Sequence, residues 1–161
     1  MQQEKLIASL KKQPLIGLLR LEKDFFHNYE RHKILFSKLE TLSKQRIKHI
    51  EIAWHPDPKW IELLKKINHS FPDINLGAAS ITTRKALNAV ININLPYAMS
   101  PIWNQKISMD SKNNNQLLIP GVNSCSQFKQ AKLMGYKIIK VFPASTLGIK
   151  FLEELNPINE S

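Results

Sequence analysis

Two residues in this sequence carry chemistry that their surroundings make conspicuous. Lys140 lies in Tyr136-Lys137-Ile138-Ile139-Lys140-Val141-Phe142-Pro143-Ala144, an apolar run of strand length. Strand side chains alternate faces, so Ile138, Lys140 and Phe142 share one side while Ile139 and Val141 take the other. An amine among apolar neighbours is costly unless it is paired or used. Burial disfavours the charged form, and a neutral amine is the species that attacks a ketone to form a Schiff base. The plainer reading has Lys140 extend its ammonium to solvent at the strand end. Glu51 is the second residue. It sits in His49-Ile50-Glu51-Ile52-Ala53-Trp54, on the face opposite Ile50, Ile52 and Trp54. A carboxylate inside such a strand needs a partner or a proton. Brought near Lys140, it makes either a structural ion pair or a proton shuttle beside a nucleophile.

Other reactive residue types form no comparable constellation. His49 and His55 share a strand face six residues apart, with His27 and His32 elsewhere, and no carboxylate-supported triad follows, so no metal site is expected. Cys125 is the single cysteine, which excludes an internal disulfide and a Cys-rich metal site, and it reads as a spectator at the start of a helix. Trp54, Trp60 and Trp103 read as packing residues and Lys137 as structural. No GxGxxG or GxxxxGK[ST] follows any strand, so a dinucleotide or P-loop site lacks its phosphate-binding device.

The elements that must position Lys140 and Glu51 alternate regularly. Strands are predicted over 15–19, 47–54, 74–78, 95–99 and 117–119, with the Lys140 run as the sixth. Residues 3–12 read as a short helix or arm, helices are predicted over 28–43, 82–90, 125–134 and 147–155, and one opens at Pro56 and Pro58 with Asp57 available as its N-cap. Residues 102–115 read as a short helix and an Asn-rich loop, Ser124 and Gly135 bracket the helix between them, and a polar tail follows 155. Six βα units without hairpin signals predict a parallel sheet with right-handed crossovers. Polar residues at the strand ends (Arg20, Glu51 to His55, Ser80, Ser100 and Lys140) point to a TIM-barrel-like (β/α) fold, whose sites sit at the C-terminal ends of the strands.

Composition bounds the function. The 161 residues suit one domain, 1–161, large enough to bury a core. The net charge is +10, but the 23 Lys and Arg are scattered, without an Arg-rich run or an aromatic ladder, so no nucleic-acid partner is expected. No apolar run approaches the roughly 20 residues needed to span a bilayer, and the polar start lacks a signal-peptide core. No membrane association and a cytoplasmic location are therefore expected.

Six motifs carry a family resemblance: Leu15-Ile16-Gly17-Leu18-Leu19-Arg20, Ile50-Glu51-Ile52, Leu76-Gly77-Ala78-Ala79-Ser80, Tyr97-Ala98-Met99-Ser100-Pro101, Leu118-Ile119-Pro120-Gly121-Val122 and Lys140-Val141-Phe142-Pro143-Ala144. In this order and spacing the chain resembles the 2-keto-3-deoxy-6-phosphogluconate and 4-hydroxy-2-oxoglutarate aldolases, over roughly residues 13–155. The resemblance implies a class I, Schiff-base lyase on a (β/α) barrel, usually a homotrimer, that needs no metal or other cofactor. It implies a small-molecule 2-oxo acid as substrate, cleaved to pyruvate and an aldehyde. Lys140 is then the Schiff-base lysine and Glu51 the general acid/base. Substrate-binding positions are Arg20, His55, Ser80, Ser100, Pro101, Pro120 and Phe142.

The chain departs from the family pattern at defined places. His55 stands where the family carries a carboxylate-binding arginine, and histidine offers no bidentate fork. Ala79-Ser80 replaces a Gly-Thr pair, and Ile102 follows Ser100-Pro101 in place of glycine. About six of the eight βα units are present, and the two absent ones carry the family's phosphate site. An open sheet of this kind leaves edges uncovered, so the alternative function is that of a non-catalytic, truncated aldolase-like binding or interaction protein.

Overall fold

The computed structural model describes residues 2–160, and the side-chain surroundings of residues 3–156. Strand and helix alternate as the hydrophobic periodicity requires. The strands are β1 (Gly17–Leu19), β2 (His49–Ala53), β3 (Asn75–Ala79), β4 (Tyr97–Met99), β5 (Leu118–Ile119), β6 (Gly121–Val122) and β7 (Lys140–Val141). The helices are α1 (Gln2–Lys12), α2 (Tyr29–Lys44), α3 (Lys59–Ser70), α4 (Arg84–Asn92), α5 (Gln105–Asn113), α6 (Cys125–Leu133) and α7 (Ala144–Glu160). Short polar caps start them: the side chains of Asn28, Thr83, Asn104 and Ser124 each accept an N–H from the first turn of α2, α4, α5 and α6. Asp57 does the same work one residue early, its carboxylate accepting from the Lys59 N–H at 2.8 Å, with Pro58 as the residue that flanks α3. Gly135 takes φ +79° just beyond α6, a left-handed turn that glycine adopts freely.

All pairings are parallel. β1 to β5 form one sheet in sequence order, and β6 pairs with β7. The sequence predicts a fifth strand over 117–119 closed by Pro120-Gly121, and the structure adds a further short strand, β6, just beyond the proline. Proline has no N–H for the ladder. Leu118 and Ile119 therefore face β4, while Gly121 and Val122 face β7, and the Pro120 carbonyl accepts from Lys140 N–H at 2.9 Å. Gly121 is required here by space: a Cβ would lie 2.4 Å from the Pro101 carbonyl carbon and 2.7 Å from the Ser100 oxygen. The last helix also runs further than predicted, from Ala144 to Glu160, bending at Gly148 (φ 70°).

The curved sheet separates two cores on its outer side from one inside. Ile50, Ile52, Leu76, Ala78, Ala98 and Leu118 point outward against α2, α3, α4 and α5. Val122 packs outward with α6 and α7, joined by Ile139 and Val141. Inside, Tyr97, Met99, Leu117 and Ile119 meet Ile16, Ile138, Leu6 and Leu10. Leu6 and Leu10 belong to α1, which closes the N-terminal ends of the strands. Ser9 Oγ lies 2.9 Å from His49 Nε2, Gln13 accepts the Lys48 N–H, and Gln3 accepts the Lys137 N–H. This is a partial TIM-barrel-like (β/α) fold. β1 and β7 each have one pairing partner among the described residues.

Candidate active site

Parity decides which side chains enter the barrel. Lys140 has Ile138 on its own face, inside, and Ile139 and Val141 on the other, outside. Glu51 is flanked by Ile50 and Ile52, both outside. Each charged residue therefore points into the interior from a strand whose outward neighbours are locked in a helix-facing core. Glu51 is 2% exposed, and its Oε1 has no hydrogen-bond partner. Burial pushes its pKa up from 4.5 to about 7, against the pull of the Lys140 ammonium. The two groups feel one another without forming a salt bridge. Lys140 is half-buried at the start of β7, its Nζ 4.9 Å from the centre of the Phe142 ring.

Because the strands are parallel, the other predicted positions gather at one end. Arg20 follows β1, His55 lies just past β2, Ser80 follows β3, Ser100 and Pro101 follow β4, and Pro120 follows β5. Their environments differ. Arg20 is exposed and Ser80 is half-buried with φ 62°, an unusual conformation for a non-glycine residue. His55 accepts the Asp57 N–H on Nδ1 at 3.2 Å and leans on Phe26, with ring centres 5.1 Å apart. A neutral His55 so bonded carries its proton on Nε2 and offers a single donor. The Ser100 hydroxyl is committed to the turn after β4: it donates to the Ile102 carbonyl at 2.9 Å and accepts the Ile102 N–H at 3.3 Å. Pro101 supplies the backbone that Gly121 packs against. Ile102, in place of a glycine, projects 49% exposed.

Two further residues border Glu51. Gly77 is its register partner on β3, and Tyr97 pairs with Gly77 from β4. The Tyr97 ring lies directly over Gly77, so a Cβ there would meet ring carbons at 2.4 Å. The sequence offers one signal for this pair, a glycine and a tyrosine at matching positions of neighbouring apolar strands. A surface cleft beside α2, about 450 Å³ and lined by Phe26, His32, Lys33 and Lys66 among others, contains none of the predicted site residues. Among the described residues, no group of three or more His, Cys, Asp or Glu could hold a metal ion. No helix among them is long and apolar enough to cross a membrane.

The family model for KDPG and KHG aldolase matches residues 7–159. The chain belongs to this aldolase family. A 2-dehydro-3-deoxy-phosphogluconate aldolase from Pseudoalteromonas atlantica is 32% identical over 89 residues, 55% of this chain and 41% of that protein. The match thus spans less than half of the relative's length. The KDPG aldolase of Zymomonas mobilis solved with 3-phosphoglycerate superposes with a TM-score of 0.79 at 17% identity, over 98% of this chain and 71% of that one. A KDPG aldolase from Legionella pneumophila, holding pyruvate as a covalent carbinolamine intermediate, gives 0.71 at 23% identity, over 90% and 66%. At these identities the structural likeness shows a shared aldolase fold. The partial barrel of this family member holds an inward lysine and an inward glutamate.

Proposed function

We propose that this chain is a class I aldolase that cleaves a 2-oxo acid of the 2-keto-3-deoxy-6-phosphogluconate or 4-hydroxy-2-oxoglutarate type through a Schiff base on Lys140. The observation that carries the reading is Glu51, a fully buried carboxyl with a pKa near 7, turned into the same interior as Lys140. A group that titrates near neutrality can both give and take a proton at working pH. Neutral Lys140 attacks the C2 ketone, and protonated Glu51 supplies the proton with which the carbinolamine oxygen leaves as water. The resulting Glu51 carboxylate then takes the C4-hydroxyl proton as the C3–C4 bond breaks. The C3–C4 electron pair flows into the protonated imine, giving an enamine that becomes pyruvate on protonation and hydrolysis.

Arg20 and Ser80 contact the substrate at the strand ends, His55 faces its carboxylate with one N–H, and Pro120 and Phe142 bound the imine. Assembly as a homotrimer and a cytoplasmic setting complete the reading and rest on family membership. The test is intact mass after incubation with pyruvate and borohydride. A pyruvyl adduct is expected on the wild type and not on Lys140→Arg. No adduct on folded wild-type protein would remove the Schiff-base reading. The alternative would then stand, a binding protein whose exposed Leu18 and Phe142 (40% and 37%) meet a partner.

A further inference from the structure

Two of the buried polar atoms without a partner lie on either side of one glycine. Glu51 Oε1 and the Tyr97 hydroxyl are both shielded from solvent and unbonded. Register places Glu51, Gly77 and Tyr97 side by side on β2, β3 and β4. Because Gly77 has no side chain, the phenol end of Tyr97 lies flat over it, with Cε2 and Cζ 2.4 Å from where a Cβ would stand. The hydroxyl extends from Cζ, above the residue that adjoins Glu51. Adjacent parallel strands are about 4.8 Å apart, so hydroxyl and carboxyl share one small polar spot beside the apolar Met99, Leu117 and Ile119. Leaving both unpaired is expensive, and polar groups that face each other beyond direct reach are commonly joined by water.

We propose that Tyr97 is a positioning residue for Glu51, its hydroxyl donating through one buried water to the Glu51 carboxylate. The inference rests on the aldolase reading for its catalytic meaning, but not for its geometry. A donor aimed at the carboxylate favours the ionised form and opposes burial, so Tyr97 holds Glu51 within reach of neutral pH. Tyr97 already senses the Glu51 charge: burial and the Glu51 carboxylate both push the Tyr97 phenol up. The other charged or titratable groups around this spot are Lys140 on β7, His49 on β2 and Arg20 after β1. The inward positions of β3, Asn75, Gly77 and Ala79, and of β5 and the residue before it, Ile119 and Leu117, add none.

The experiment is direct titration of the Glu51 side-chain carboxyl by carbon-13 NMR, assigned with Glu51→Gln, in wild type and Tyr97→Phe. The phenylalanine keeps the ring over Gly77 and removes only the oxygen. The expected result is a Glu51 midpoint raised by about 0.5–1 pH unit, a roughly threefold to tenfold gain in proton affinity. The pH profile of pyruvate trapping should move with it. An unmoved midpoint overturns the inference even if trapping succeeds. A moved midpoint with no trapping sustains it and removes the aldolase reading instead. Should Tyr97→Phe not fold, the wild type decides: the Tyr97 hydroxyl proton must show magnetisation transfer with a long-lived water, and its absence overturns the bridge.

Discussion

Glu51 shows how one buried carboxyl sets a pH dependence for the molecule. Its folded pKa of about 7 lies above the 4.5 of an ordinary glutamate. Below pH 4.5 the group is protonated in both states and its contribution to stability is complete. As pH rises the unfolded chain gives up its proton while the folded protein keeps it, so stability falls until the folded group ionises near pH 7. At about 1.4 kcal/mol per pH unit this loss is on the order of 3 kcal/mol. Glu51→Gln has no such charge to bury. Its stability relative to wild type should therefore rise between pH 5 and pH 8 by roughly 1–3 kcal/mol, measured by urea unfolding at both values. His55→Arg should act on affinity instead. A guanidinium offers a carboxylate two parallel N–H bonds where His55 offers one, so KM for the 2-oxo acid should fall by roughly tenfold with kcat little changed. The inward direction of Lys140 and Glu51 was legible in sequence because strand alternation is a local rule. The Tyr97 contact over Gly77, the bond that occupies Ser100 and the tautomer fixed at His55 were not. Each depends on atoms that only folding brings together.

Elements were legible where periodicity and caps coincide, as at α6 between Ser124 and Gly135. The strand after Pro120 was not: the sequence closes the fifth strand at that proline, whereas pairing resumes beyond it, with β7. The same short segment serves β4 on one side and β7 on the other, a tertiary arrangement no local pattern encodes. Its tightest point is Gly121. Gly121→Ala should destabilise the protein by about 1–3 kcal/mol or more, because the new Cβ meets the backbone of Ser100 and Pro101, which cannot step aside as a flexible side chain would. Gly17→Ala is the control: its nearest neighbours would lie at 3.9 Å, ordinary contact, and it should be tolerated. Paired denaturation midpoints compare the two. The role of α1 was hidden as well. Its sequence reads as a short helix or arm, and only the structure shows Leu6 and Leu10 closing one end of the barrel.

At the scale of the whole molecule, the charge of +10 is spread over a surface with modest pairing, such as Lys33 with Glu30 and Lys44 with Glu40. Exposed pairs of this kind contribute little, whereas a large excess of one sign repels itself in the compact state. Raising salt from low to physiological strength should therefore raise Tm by a few degrees, and a fall would show that the pairs dominate. The fold also ties α1 to a segment far along the sequence. Gln3 and Glu4 bond to the segment from Gly135 to Lys137 across separations of 132 to 134 residues. Neighbouring strands, by contrast, follow one another along the chain. Closing a loop of that length costs on the order of 4 kcal/mol in chain entropy. On the ribosome, α1 is made long before Tyr97, Leu117, Ile119 and Ile138, the residues that cover Leu6 and Leu10. Its apolar stripe must therefore wait uncovered while those residues are synthesised, which makes α1 a natural foothold for a chaperone on the nascent protein.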